Sequence, residues 1–375
     1  MQRVSPPFLD KPWAKARCRD VSFIAAVESA RGNALQPAWK FEADVPACAD
    51  IAYRPLLEDA LCAGRAASPK PVQPDLARPS IWLQVLGLGR RLTLKRSVVF
   101  CLRFLIRPAM SLKWITFLGD FARRKSLGCP HDDLLRKSLA TFFVHGASAR
   151  DRLNLLTDNF RIAGDVLTPD VLRALWRGDA MDVGTVEGRS ESYKIHLLLA
   201  DRCGSRHEGV FAVRISRMQD GYTLCTAGFV FVRCGYSDYS LAIGGMQGPR
   251  ASDAKRALIT ATRCLGGLRP KDAVLLILQG LVSNGSSGHL LAVSNARHVI
   301  NQRRRKRRRM MHANLDDYWI ERGGEPAAPF GFRLPIKPIS SAEGEKRRAQ
   351  SKLAFWEAGQ RLLSKSAGPE TGAAR

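Results

Sequence analysis

The sequence predicts an α+β fold, with a helical N-terminal half packed on a mostly antiparallel central sheet. Three observations carry that expectation. From Ser80 to about Arg177 apolar residues recur every three to four positions, the period of an amphipathic helix. From Ser192 the period drops to two, as in Tyr193-Lys194-Ile195-His196-Leu197. Turn dipeptides, Gly204-Ser205 and Asp220-Gly221, then separate successive short strands, which implies antiparallel hairpins. The chain has 375 residues, 45% of them hydrophobic, so it can bury a substantial core; wholesale disorder and fibrous repeats are excluded.

Residues 1–79 read as a largely irregular extension, with prolines at 6, 7, 12, 37, 46 and 55 and a linker-like stretch over 66–74. One domain follows over 80–340, helical over 80–185 and sheet-containing over 190–340. Segment 80–125 is rich in Lys and Arg and holds a single acid, Asp120. On a helix, Arg96, Arg103 and Arg107 fall on one stripe, and Leu94, Val98, Cys101 and Leu105 on another. This reads either as a core helix with a solvated basic face or as a surface that lies on anionic lipid. Further helices are expected at Asp132–Phe143 and Ala149–Phe160, and one opened by Thr168-Pro169-Asp170.

In the second half, Gly209–Ile215 alternates, and Tyr222–Val232 is apolar on both faces, as a covered central strand would be. A fourth strand spans Tyr239–Ile243 and breaks at a turn, Gly244-Gly245-Met246-Gln247-Gly248-Pro249. Ser252 is placed to cap a helix whose Ala254, Ala257, Leu258, Ala261 and Leu265 share a face and which Gly266-Gly267 ends. Pro270 opens a buried helix to Ser283, and His289–Val293 makes a last short strand. A long polar helix carrying a basic run and a charged C-terminal helix over 341–375, fraying after Leu363, complete the chain.

Lys and Arg number 59 against 34 Asp and Glu, a formal net charge of +25. Such a surface attracts polyanions: an anionic membrane surface, phosphorylated or acyl-carrier substrates, or nucleic acid. The nine cysteines are scattered, with neither a CxxC pair nor zinc-ligand spacing, so reduced, buried thiols and no metal are expected. No apolar leader opens the sequence, and no uncharged run approaches the roughly 20 residues of a spanning helix. A cytoplasmic protein, peripheral on the inner membrane if it meets one, is the expectation.

The loudest local feature is the run Arg303, Arg304, Arg305, Lys306, Arg307, Arg308 and Arg309. It reads as a solvated or internally paired face, an anionic-lipid contact, or a nucleic-acid patch; no helix-turn-helix, zinc-finger or RNP-like motif supports the last. The glycine-rich stretch Gly244, Gly245, Met246, Gln247, Gly248, with Arg250, Ser252 and Lys255 beside it, follows a strand and precedes a helix. There, backbone N–H groups and a helix N-terminus can hold an anion. The alternative is a tight strand-to-helix turn. No nucleophile constellation, HExxH or GxSxG occurs. His196 reads as a half-buried structural histidine, and Asp316, Asp317 and Glu321 as partners for the upstream arginines.

Several stretches together resemble the VirK/YbjX family of bacterial proteins. They are Glu208-Gly209-Val210-Phe211, Ile243–Pro249, Gly267–Lys271, Ala292–Asn295 with His298-Val299, Asp317–Gly324, and Phe330–Pro335. The resemblance runs from about Trp82 to Leu363. It implies roles in envelope integrity, resistance to cationic antimicrobial peptides, or surface display of a virulence factor; one relative is described as membrane-associated. It transfers no catalytic residues. The strand–turn–helix–strand order also resembles the N-acyltransferase (GNAT-like) core. That likeness would make Met246, Gln247, Gly248, Arg250 and Ser252 a phosphate loop for acyl-CoA or an acyl carrier protein, the only cofactors any reading brings in. The helix Pro270–Ser283 departs from that pattern. Nucleic-acid binding is the third reading.

Overall fold

A computed structural model describes residues 85, 87, 94–137, 141–234, 238–283, 288–302, 314–336 and 347–364, all within the unit Ile51–Arg375. The extension over 1–79 and the basic run Arg303–Arg309 lie outside the described residues. In chain order the helices before the sheet are α1 (Leu94–Ile106), α2 (Pro108–Arg124), α3 (Asp132–Leu135), α4 (Ala149–Val166) and α5 (Pro169–Arg177). The strands β1 (Met181–Glu187), β2 (Ser192–Leu199), β3 (Phe211–Arg217), β4 (Thr223–Arg233) and β5 (Tyr239–Gln247) follow. Then come α6 (Ala254–Cys264), α7 (Pro270–Gly280), β6 (His289–Val293), α8 (Leu315–Glu321), β7 (Glu325–Ala327), β8 (Gly331–Pro335) and α9 (Arg347–Gln360).

Among the described residues these strands form one sheet, in the order β1-β2-β3-β4-β5-β6-β8-β7. Every neighbouring pair is antiparallel except β5 and β6, which run parallel and register only through Ala242–Leu291 and Ile243–Ala292. The fold is therefore α+β with a mostly antiparallel sheet. A parallel pair needs a crossover, and α6 and α7 supply it.

The helix ends follow local chemistry. The Ser148 hydroxyl accepts from the Asp151 N–H at 3.1 Å while the Asp151 carboxylate accepts from the Ser148 N–H at 3.0 Å, a reciprocal capping box for α4. Pro169 sits in the first turn of α5, and Gly178 closes that helix with φ +80°, a conformation that suits glycine. α4 and α7 both pack against β4, whose interior is buried on both sides, as the apolar run Tyr222–Val232 predicts. Phe121, Phe160, Trp176, Phe211, Phe229 and Phe231 form a connected aromatic cluster between helices and sheet. Each such side chain contributes about 1.5–3 kcal/mol on burial.

Several expectations are corrected. The helix expected over Asp132–Phe143 is only the single turn α3. The chain leaves it because Lys137 turns inward to bond Asp201 at 2.5 Å and the Gly209 carbonyl at 2.8 Å, and Phe143 enters the core at φ +60°. β1 is an edge strand that its sequence does not announce. β6 is not the last strand; β7 and β8 extend the sheet beyond it. Gly244–Gln247 are not a turn: β5 continues through them. The cap of α6 is Asp253, not Ser252, and the Asp253 carboxylate accepts from the Tyr222 hydroxyl at 2.9 Å. Cys225 and Cys264 are buried, but Cys101 and Cys129 are exposed. The charged C-terminal helix is docked on the fold: Phe355 and Ala358 are buried, and α9 meets α7 through paired glycines. A Cβ on Gly280 would lie 2.1 Å from the Trp356 oxygen, and one on Gly359 2.1 Å from the Ile277 oxygen.

Candidate functional site

Two regions hold the residues that the sequence singles out. The first lies where the β2–β3 connection folds back on β4 and β5. Glu208 is bound there by its own backbone: its N–H donates to the Ser205 oxygen at 2.7 Å. Its carbonyl oxygen sits where a Cβ on Gly244 would be, only 2.0 Å away, and 2.9 Å from one on Gly228. Its carboxyl carbon would be 2.8 Å from a Cβ on Gly245. The glycines of β4 and β5 thus make room for Glu208 rather than for a phosphate.

The carboxylate joins a chain of polar groups. Glu208 Oε2 accepts from Gln247 Nε2 at 2.8 Å, and Gln247 Oε1 accepts from Arg250 Nη2 at 2.9 Å. Glu208 Oε1 is 3.7 Å from Nε2 of His298, which is 5% exposed. His298 Nδ1 accepts from the Ile300 N–H at 3.2 Å, so in the neutral ring Nε2 carries the proton and faces the carboxylate. The loop beyond β6 is held by Asn295, whose N–H donates to Asp316 Oδ1 at 2.7 Å and whose Oδ1 accepts from the Leu315 N–H at 3.1 Å. This carboxylate–imidazole pair can hold or pass a proton, and its fixed negative group disfavours a second anion beside Gly245. Beyond the strand, Gly248, Arg250, Ser252 and Lys255 are exposed.

The second region is the face made by α1 and α2. The residues Val98, Cys101 and Leu105 of the stripe, expected either against a core or on a lipid surface, stand in solvent. Val98 is 49% exposed, Leu102 51%, Leu105 72%, Ile106 72% and, on α2, Leu112 49%; Cys101 is exposed as well. Phe100 and Phe104, the two aromatics of α1, lean on the core. Arg96 and Arg103 lie within α1, but Arg107 does not continue their stripe. It is the N-cap of α2 at φ −141°, ψ 64°, because a residue before proline, here Pro108, is driven out of the helical region. Arg107 is exposed, as are Lys113, Arg123 and Arg124 on α2. No described helix is long and apolar enough to cross a membrane.

Other titratable groups serve the structure. His196 is half-buried on β2, and loss of solvation lowers its pKa, with Lys194 and Arg214 adding to the effect and Asp182 opposing it. Of the three acids expected to meet the upstream arginines, Asp316 accepts from the Asn295 backbone, and Glu321 pairs with Arg269 at 3.4 Å and Arg322 at 3.3 Å; the basic run itself lies outside the described residues. Among the described residues no group of His, Cys, Asp and Glu is arranged to hold a metal ion. The Glu208–Gln247–His298 convergence has no local signal, since its members are 39 and 51 positions apart. Yet each lies in a separate one of the stretches that carry the family resemblance.

The profile of the family described as "Protein of unknown function (DUF535)" matches residues 90–352. An uncharacterized protein, YbjX of Escherichia coli (strain K12), is 23% identical over 255 residues, 66% of this chain and 76% of that protein. An uncharacterized protein of Haemophilus influenzae (strain ATCC 51907 / DSM 11121 / KW20 / Rd) is 25% identical over 213 residues, 56% of this chain and 68% of its own length. No solved structure matches.

Proposed function

Since the chain belongs to the DUF535 family of proteins of unknown function, which includes YbjX, we propose that it is a peripheral accessory protein of an anionic membrane surface. In this reading it docks through the α1–α2 face and serves the envelope role that the family resemblance implies: integrity, antimicrobial-peptide resistance or display of a surface factor. One observation carries the reading: Val98, Leu102, Leu105, Ile106 and Leu112 stand about half exposed or more in a segment whose charged residues are almost all basic. A soluble surface gains nothing by exposing such a patch, whereas a bilayer interface takes up the apolar side chains and draws in the cations. Near an anionic leaflet each Lys or Arg adds about 1 kcal/mol. The net charge of +25 orients the whole chain toward such a surface.

Vesicle flotation tests this. Binding to phosphatidylglycerol-containing vesicles, weakening as salt rises and absent on pure phosphatidylcholine, is expected. Equal recovery on both vesicle types overturns it, as does salt-steep retention on DNA with none on lipid.

A second reading, acyl transfer from acyl-CoA or an acyl carrier protein, is supported by the parallel β5–β6 pair and its helical crossover, in which α7 is the departure from the GNAT-like pattern. Gly244–Gln247 do not fit a phosphate, because Glu208 fills that face. An anion would have to be held by the turn after Gln247, with Arg250 and Lys255 nearby. Calorimetry with acyl-CoA tests it: no heat removes the reading, and heat lost in Arg250→Gln supports it.

A further inference from the structure

Between α2 and α4 lies an open surface groove of about 620 Å³, lined by α2 and by Arg161 of α4. Its lining holds four cations, Lys113, Arg123, Arg124 and Arg161, against one acid, Asp120. That acid is already met by Arg123 at 3.5 Å. Arg161 is steadied from outside the groove by Asp158 at 3.1 Å. Lys113 and Arg124 have no carboxylate partner among the described residues, so the groove carries uncompensated positive charge.

Its floor is rigid. The Phe117 ring stacks on Trp114 at 5.7 Å and on Phe121 at 5.8 Å, and the Arg161 guanidinium lies 5.6 Å over its face. The ring face that a nucleobase would need is thus partly taken by an arginine. Leu112 lines the groove, and it is exposed as are Leu105 and Ile106 at the end of α1, the helix just before α2. Cations inside and an apolar track outside match a molecule with an anionic head and a hydrocarbon tail. Arginine and lysine together suit a phosphate oxyanion.

We infer that this groove binds the phosphorylated head group of a single anionic lipid, whose acyl chains run along the exposed face of α1. The inference rests on the membrane-docking reading and names the ligand of that face. Head-group capture supplies what a charged apolar patch alone lacks, a stoichiometric and saturable site.

The test uses the full-length protein and short-chain lipids below their micelle concentration. Calorimetry is expected to show one site for dihexanoyl phosphatidic acid and little heat with dihexanoyl phosphatidylcholine. In the double variant Lys113→Gln, Arg124→Gln, affinity for the phosphatidic acid is expected to fall about tenfold or more with an unchanged circular dichroism spectrum. The variant Leu105→Glu, Ile106→Glu should lose vesicle flotation and also bind the short-chain lipid more weakly, because the acyl chains lie on that face. Equal affinity for phosphatidylcholine, or an unaltered affinity in the Lys113/Arg124 variant, overturns the proposal. Inorganic phosphate or an acidic phosphopeptide binding as tightly as the lipid overturns it too, by assigning the groove to another anion. If the wild-type protein binds the short-chain lipid but no vesicle, the docking reading fails and the groove assignment stands.

Discussion

Around Glu208 the chain is built inward. Its carbonyl rests on Gly244, its carboxylate reaches Gln247 and faces His298, and the neighbouring Lys137, with 1% of its side chain exposed, is spent on Asp201 and the Gly209 carbonyl. Along α1 and α2 the same kinds of residue are turned outward: leucines and an isoleucine in solvent, and exposed cations of which Lys113 and Arg124 have no carboxylate partner among the described residues. The difference separates two uses of sequence. In the first region each residue is constrained by others distant in the chain, so substitutions register as lost stability. In the second they touch little of the fold, so substitutions register as lost binding.

The sharpest way to break that contrast is Lys137→Met. It removes the cation from a largely buried pair and leaves the Asp201 carboxylate, 14% exposed, beside apolar surface. Severing a buried pair in this way costs about 3–5 kcal/mol. Urea unfolding followed by circular dichroism measures it, and a loss below about 1 kcal/mol, the scale of an exposed pair, would place Lys137 with the surface cations.

Next comes Gly244→Ala. A methyl group 2.0 Å from the Glu208 oxygen cannot be absorbed by a rotamer change, because the obstacle is backbone. The β2–β3 connection must lift, and overpacking of this kind costs about 1–3 kcal/mol. The same unfolding experiment reads it out. Stability equal to the wild type would mean that Glu208 is not seated as described.

On the outward face, Leu105→Glu with Ile106→Glu should leave the urea midpoint within about 0.5 kcal/mol of wild type, since both side chains are 72% exposed. The same protein should no longer float with phosphatidylglycerol vesicles. Marked destabilisation would show that the α1 patch is covered within the fold.

What could be read from the sequence divides along the same line. Local rules placed β2, β3, β4, α4 and α5, because alternation, a both-face apolar run, helical periodicity and a Pro at the helix start act over a few residues. Arg107 was misplaced on the stripe of Arg96 and Arg103 although Pro108 stood beside it, a local signal that the helical spacing overrode. Periodicity marks Leu105 as one side of an amphipathic helix but carries no information about which neighbour, if any, covers that side. The glycines of β5 look like a turn to any local rule. Only the approach of Glu208, 36 positions earlier than Gly244, explains them as part of a strand. The helix expected through Phe143 failed for a similar reason, since Lys137 is drawn out of it by Asp201, 64 positions away.

The smallest effect separates the regions by pH. His196 sits on β2 opposite Asp182 of β1 and Arg214 of β3, and its pKa in the folded state is lowered, mainly by loss of solvation, with Lys194 and Arg214 opposing its charge and Asp182 favouring it. Above its ordinary value, near 6.5, the ring is neutral in both the folded and unfolded chain, and the contribution to stability is fully present. As pH falls below that value the unfolded chain binds the proton first, and stability is lost until the depressed folded value is passed. Urea midpoints at pH 7 and pH 5 should therefore drop less in His196→Gln than in the wild type. Residues 94–124 contain no histidine, so affinity at the α1–α2 face for dihexanoyl phosphatidylglycerol, a phosphodiester singly ionised throughout, should stay level over the same interval. A binding curve that tracks the stability curve would show that the outward face depends on the state of the sheet, and that the two regions are not independent.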